Sequence, residues 1–111
     1  MRISVKTSGK FICLCTCSNI SEAKRISTVL VKEKLAACVN IIKGVSSVYL
    51  WMGKIRNDSE SLLIIKGCAR NREKLAERIK DLHSYKVPEI IFISLDSGSK
   101  EYLEWLNKNC I

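Results

Sequence analysis

The first patterned stretch, Phe11 to Cys17, is an apolar run that reads as a strand. Ser18 and Asn19 are helix-capping types, and Asn19-x-x-Glu22 approximates a capping box. Ala23, Ile26, Ser27 and Leu30 follow at three- and four-residue spacing with charged residues between them, which predicts an amphipathic helix to about Lys34. Val45, Ser47, Tyr49 and Trp51 then alternate with Val48 and Leu50, the pattern of a strand. Met52-Gly53-Lys54 offers a turn, and Ser59 to Cys68 returns as the second arm of a long hairpin.

Asn71 is placed to cap a second helix whose buried stripe is Leu75, Ile79 and Leu82. Val87-Pro88 forces extended backbone. Glu89 to Leu95 is apolar on both faces, which predicts a central strand, and Ser97-Gly98-Ser99 opens a last helix carrying Tyr102, Leu103, Trp105 and Leu106. The order β-α-β-β-α-β plus a terminal helix predicts an α+β, ferredoxin-like split β-α-β fold, with an antiparallel sheet and helices on one face. Residues 1–9 are expected to be a flexible tail, and residues 10–111 a single domain. The hairpin should project beyond so small a body with aromatic side chains uncovered, so a partner subunit is expected to cover it.

Composition narrows the function. The net charge of +8 comes from 19 basic and 11 acidic residues, but the two signs interleave and no polybasic run occurs. The central strands also lack the stacking aromatics of an RNA-recognition domain, so no nucleic-acid partner is expected. No apolar stretch approaches a signal-peptide core or the roughly 20 residues of a membrane span, so a cytoplasmic protein with no membrane partner is expected. Cysteines stand at positions 13, 15, 17, 38, 68 and 110. The first three, two residues apart on a strand, lie roughly 6.6 Å from one another. That spacing is wide for a disulfide or for sharing one zinc, and they read as small core residues in a reducing compartment.

No phosphate loop, nucleophile elbow, HExxH or paired CxxC is present, and no enzymatic activity is expected. His83, the single histidine, reads first as a cation at a helix C-terminus. A sharper reading brings its imidazole together with the Cys15 thiolate and the Glu89 carboxylate around a copper or zinc ion, with one position open. A cysteine–histidine nucleophile pair is the third option, without a visible oxyanion donor. Trp51, Lys66 and Tyr85 are candidates for lining an intersubunit cleft.

Four segments together resemble the CutA family of divalent-cation tolerance proteins. They are Leu35-Ala36-Ala37-Cys38-Val39-Asn40-Ile41-Ile42, Ser47-Val48-Tyr49-Leu50-Trp51-Met52-Gly53-Lys54-Ile55, His83-Ser84-Tyr85-Lys86-Val87-Pro88-Glu89-Ile90 and Tyr102-Leu103-Glu104-Trp105-Leu106. The resemblance implies a homotrimer joined through the long hairpins, an architecture akin to PII signalling proteins, and binding of divalent metal, copper especially. It places the metal on Cys15, His83 and Glu89. The alternative it leaves open is a PII-like regulatory module that binds a small anionic ligand between subunits and signals to a protein partner. Two positions depart from the family pattern, Ser84 and Lys43, where the family usually has proline.

Overall fold

The computed structural model describes residues 5–6 and 9–110. Four strands form an antiparallel sheet in the order β3-β4-β2-β5: β2 is Lys10–Cys17, β3 Cys38–Trp51, β4 Lys54–Cys68 and β5 Ile91–Ser94. Helix α1 (Ile20–Lys32) follows β2, and α2 (Arg72–Leu82) follows β4 after one 3₁₀ turn. This is the mixed, split β-α-β architecture read from the sequence. Of the expected tail, Val5–Lys6 forms strand β1, paired antiparallel with β6 (Ser97–Gly98). Residues 1–4 and 7–8 of that tail lie outside the described residues, as does Ile111.

Alternation along β2 sends Phe11, Cys13, Cys15 and Cys17 to one face, where all four are buried. Leu63 and Ile65 of β4 join them, and Ala23, Ile26 and Leu30 of α1 with Leu75 and Ile79 of α2 close the core. The cysteines are thus small core residues, as their alternation within an apolar run requires. The start of α1 behaves as its sequence dictates. Asn19 Oδ1 accepts the Glu22 N–H at 2.8 Å, and Glu22 Oε1 reaches back to the Ser18 N–H at 3.0 Å. Asn71 differs: no side-chain bond caps α2, and its buried Nδ2 is without a partner.

The hairpin is longer than the alternation alone predicts. β4 begins at Lys54, so β3 and β4 pair from Cys38↔Lys66 to Trp51↔Lys54 with one irregularity between Ile42 and Val45. Met52 and Gly53 both have positive φ, 49° and 77°, the two-residue turn whose twist suits a tight hairpin. The molecule measures 50 Å along its longest axis, and the hairpin accounts for most of that length.

Two expectations are corrected. The segment expected as a central strand, 89–95, is the short edge strand β5, paired on one side only with β2. A continuous apolar run reports that both faces are destined for cover; it does not report how many strands flank it. Ile91 and Ile93 remain half exposed in the single chain. Second, Cys68 and Cys110 form a disulfide across 42 residues, which the expectation of a reducing compartment does not anticipate. It ties the end of α3 (Lys100–Lys108) to the end of β4, within a small second core with Ala37 and Leu106. Nothing in the local spacing of either cysteine signals that pairing, because only the docking of α3 brings them together.

Candidate metal centre

His83 ends α2, its backbone N–H donating to Ile79 O at 2.9 Å. Its ring is fully buried rather than a solvent-facing cation. The Tyr85 N–H donates to Nδ1 at 3.0 Å, which makes Nδ1 the unprotonated nitrogen. Nε2 therefore carries the proton and donates to the Thr16 carbonyl at 2.7 Å. That bond lays the imidazole over the stretch of β2 where Cys15 and Cys17 rise toward the helices.

Ligand atoms of Cys15, Cys17 and His83 lie within 4.8 Å of one another. Two sulfurs that each approach an ion to about 2.3 Å sit at most about 4.6 Å apart, so the trio is within a few tenths of an ångström of sharing one. The spacing of Cα atoms along the strand had put these sulfurs out of common reach; leaning of the side chains toward each other closes the gap. At rest the Cys15 sulfur is a thiol. The hydrogen bond with Cys17, followed by burial, drives the Cys15 thiol well above its ordinary range, and burial pushes Cys13 up to about 12.

Glu89 stands apart from that trio. It is exposed and lines an adjoining cavity of about 730 Å³, together with Thr16, Tyr49, Trp51, Glu60 and Tyr85. Thr16 and Tyr85 belong to both places: they bracket the His83 ring and face the cavity. Trp51 and Tyr85 both line this cavity within the single chain. Lys66 does not join them within the chain, because it lies 12 residues along β4 from the hairpin turn, roughly 40 Å away. Its Nζ instead approaches the Tyr102 hydroxyl of α3 at 3.4 Å.

Two carboxylates escaped sequence reasoning. Glu22, buried, lies 3.9 Å from His83 Nδ1 and accepts the Ser84 N–H at 2.7 Å. Burial raises its carboxyl, but hydrogen bonds from Ser84 and Ser18 outweigh that and bring it down to about 2. Glu60 accepts the Tyr85 hydroxyl at 2.6 Å, and burial with that bond pushes the phenol above its ordinary value. The capping pattern had marked Glu22 as a helix-start residue, but its reach to the loop after α2 is invisible to local spacing.

Comparison with known proteins follows the same line. Residues 11–109 match the model of the family described as CutA1 divalent ion tolerance protein. The chain is 44% identical over 109 residues to "Protein CutA, chloroplastic" of Arabidopsis thaliana, covering 98% of this chain and 60% of that relative's length. It is 44% identical over 98 residues to the "Divalent-cation tolerance protein CutA" of Thermus thermophilus, covering 88% of this chain and 95% of the relative. The solved structure of CutA1 from Oryza sativa superposes with a TM-score of 0.92 at 41% identity, over 95% of this chain and 96% of that one. With the family model spanning nearly the whole domain and the fold shared, this chain belongs to the CutA1 divalent ion tolerance family.

Proposed function

We propose that this protein is a non-enzymatic, cytoplasmic homotrimer that binds divalent metal ions, copper first and zinc second, in tolerance of or response to those ions. The observation that carries the reading is the buried trio of Cys15, Cys17 and His83, whose donor atoms lie within 4.8 Å of one another. Sulfur and imidazole are the donors that copper and zinc favour over the oxygen ligands of magnesium or calcium. The donor set therefore fits such an ion, on condition that Nε2 exchanges its bond to the Thr16 carbonyl for the metal. Glu89, in the adjoining cavity beside Thr16 and Tyr85, is suited to meeting a cation on its way in.

The trimer is supported by uncovered apolar surface along the hairpin. Val48, Leu50, Trp51, Met52 and Ile55 are all more than half exposed, with Met52 at 88%. Such a strip on a long projecting hairpin is a surface for association.

Native mass spectrometry of the reduced protein, titrated with divalent copper and zinc beside Cys15→Ala and His83→Ala variants, tests both parts. A mass of three chains carrying one metal each, with the metal lost in the variants, is the expected result. A trimer that takes up no metal would sink the metal-binding reading and leave the assembly standing.

A further inference from the structure

We infer that the Cys68–Cys110 disulfide is a reversible redox latch on α3, opened by a protein dithiol of the thioredoxin class and closed again by oxidised glutathione. The inference stands apart from the metal centre and takes from the reading above only the cytoplasmic placement.

The latch lies on the face of the sheet turned away from α1 and α2. Leu63 and Ile65 of β4 pack into the core beneath those helices, so Lys66 and Cys68 do not share their side. There α3 docks. Leu106 and Cys110 join Cys68 and Ala37 in a small buried cluster, and Lys66 Nζ lies 5.5 Å from the centre of the Tyr102 ring. Among the described residues of α3, Leu106 alone is buried, while Tyr102 and Trp105 face solvent. Leu103 packs beside Gly98, and Arg70 holds the Cys110 carbonyl. A helix with so little buried surface opens locally far more readily than the core beneath α1 and α2. The disulfide is the part of its hold that a redox reaction can remove.

Strand register shows what opening uncovers. Lys66 pairs with Ile12 and Ile12 with Ile93, next to Leu14 and Ile91 on the same face. Ile91 and Ile93 are already half exposed. When α3 loosens, Leu106 leaves Ala37 and Cys68, and the apolar surface on this side of the sheet grows. Apolar surface of that kind marks an interaction site. The latch therefore converts thiol redox state into the extent of an exposed face.

Compartment and chemistry agree with a switch. Disulfides that form in a cytosol are commonly transient or redox-sensing rather than permanent. Cys68 and Cys110 are both buried when the pair is closed, so exchange waits on local opening of α3. A thiolate of the incoming dithiol then attacks one sulfur, forming a mixed disulfide and freeing the other cysteine, which takes up a proton. The second thiol of the dithiol attacks the mixed disulfide and leaves as an internal disulfide, releasing the remaining cysteine as a thiol. Two electrons and two protons thus pass from the dithiol to the pair. Closing is the same exchange in reverse, with oxidised glutathione accepting the two electrons and the two protons.

The test equilibrates the full chain, without metal, in glutathione buffers of rising reduced fraction, and separately with thioredoxin, its reductase and NADPH. Alkylation with mass analysis counts open pairs, hydrogen exchange follows α3, and anilinonaphthalene sulfonate reports apolar surface. The pair should open in the reducing buffers and close again in the oxidising ones. Amides of residues 100–110 should exchange at least about tenfold faster when it is open, with those of α1 and α2 unchanged. Dye fluorescence should rise in step, and Cys110→Ser should show the open pattern in every buffer. A pair that stays closed in the most reducing buffer and with thioredoxin would be a permanent staple and overturn the inference. Equal exchange of α3 in the open and closed states would overturn it too, as would a pair that never closes in oxidised glutathione. Should Cys110→Ser not fold, the two states of the parent decide. A tagged chain found outside the cytosol would overturn the placement and with it the switching role, whatever the titration reads.

Discussion

The Glu22 carboxylate accepts the backbone N–H of Ser84 at 2.7 Å, which ties the first turn of α1 to the loop that follows α2. Proline at position 84 would offer no N–H, so the bond exists because the residue there is not proline. The same carboxylate also accepts from Ser18, and it is the point where helix capping and the candidate centre meet.

Glu22 should make stability depend on acid. Its carboxyl is brought down to about 2 in the folded protein from an ordinary value of 4.5. A depressed folded value stabilises above the unfolded value, and that stabilisation is lost as pH falls from about 4.5 toward 2. The contribution is on the order of 3 kcal/mol at neutral pH. Denaturant unfolding between pH 2.5 and 7 should show a steep acid limb in the parent and a flatter one in Glu22→Gln. Parallel limbs would mean that the carboxylate is not a main source of the dependence.

Ser84→Pro should weaken the same tie without touching a core residue. The expected loss is about 1 to 3 kcal/mol, the cost of removing a hydrogen bond to a buried charged group. The acid limb should also move to higher pH, because Glu22 retains fewer donors. A stable variant with an unmoved acid limb would assign the depression of Glu22 to Ser18 alone.

The disulfide between Cys68 and Cys110 closes a loop of 42 residues. Loop-closure entropy for that length corresponds to about 4 kcal/mol, and measured values commonly fall at 2–4 kcal/mol. Non-reducing peptide mapping should recover the linked pair, and reductant should lower the melting temperature of the parent to that of Cys110→Ala. Arg70 Nη2 donates to the Cys110 carbonyl at 2.6 Å, so α3 keeps one anchor after reduction. Equal melting temperatures with and without reductant would show that the link adds nothing.

Leu50, 66% exposed on the hairpin, should matter for assembly and little for the fold of one chain. Leu50→Glu places a charge in the strip proposed above as a subunit interface. Sedimentation should show a smaller species than the parent, with an unchanged far-ultraviolet circular dichroism spectrum. An unaltered mass would move the interface away from this face.

Gly67 is required by close approach rather than by its backbone angle. A Cβ there would stand 3.0 Å from Phe11 Cζ and 3.2 Å from the Leu35 carbonyl oxygen. Gly67→Ala must displace a buried ring and a backbone carbonyl, and should cost about 1–3 kcal/mol. Chemical denaturation reads the loss directly, and a neutral result would show that Phe11 has room to turn.

Much of this molecule was legible in the amino-acid order because local periodicity is enforced by local geometry. Alternation along Phe11 to Cys17 placed the cysteines on one face, three- and four-residue spacing produced α1, and Asn19 with Glu22 announced its start. His83 was legible as the residue at the end of α2. What the local pattern did not contain was anything that depends on how elements meet. The edge position of β5 follows from strand pairing across the chain, and the Cys68–Cys110 link from the docking of α3. Glu22 reaches Ser84 only because α1 and the end of α2 lie side by side on the sheet. The trio of Cys15, Cys17 and His83 is of the same kind. Strand geometry sets Cα positions, but only the Thr16 carbonyl, by holding the imidazole over β2, turns three separate side chains into one centre.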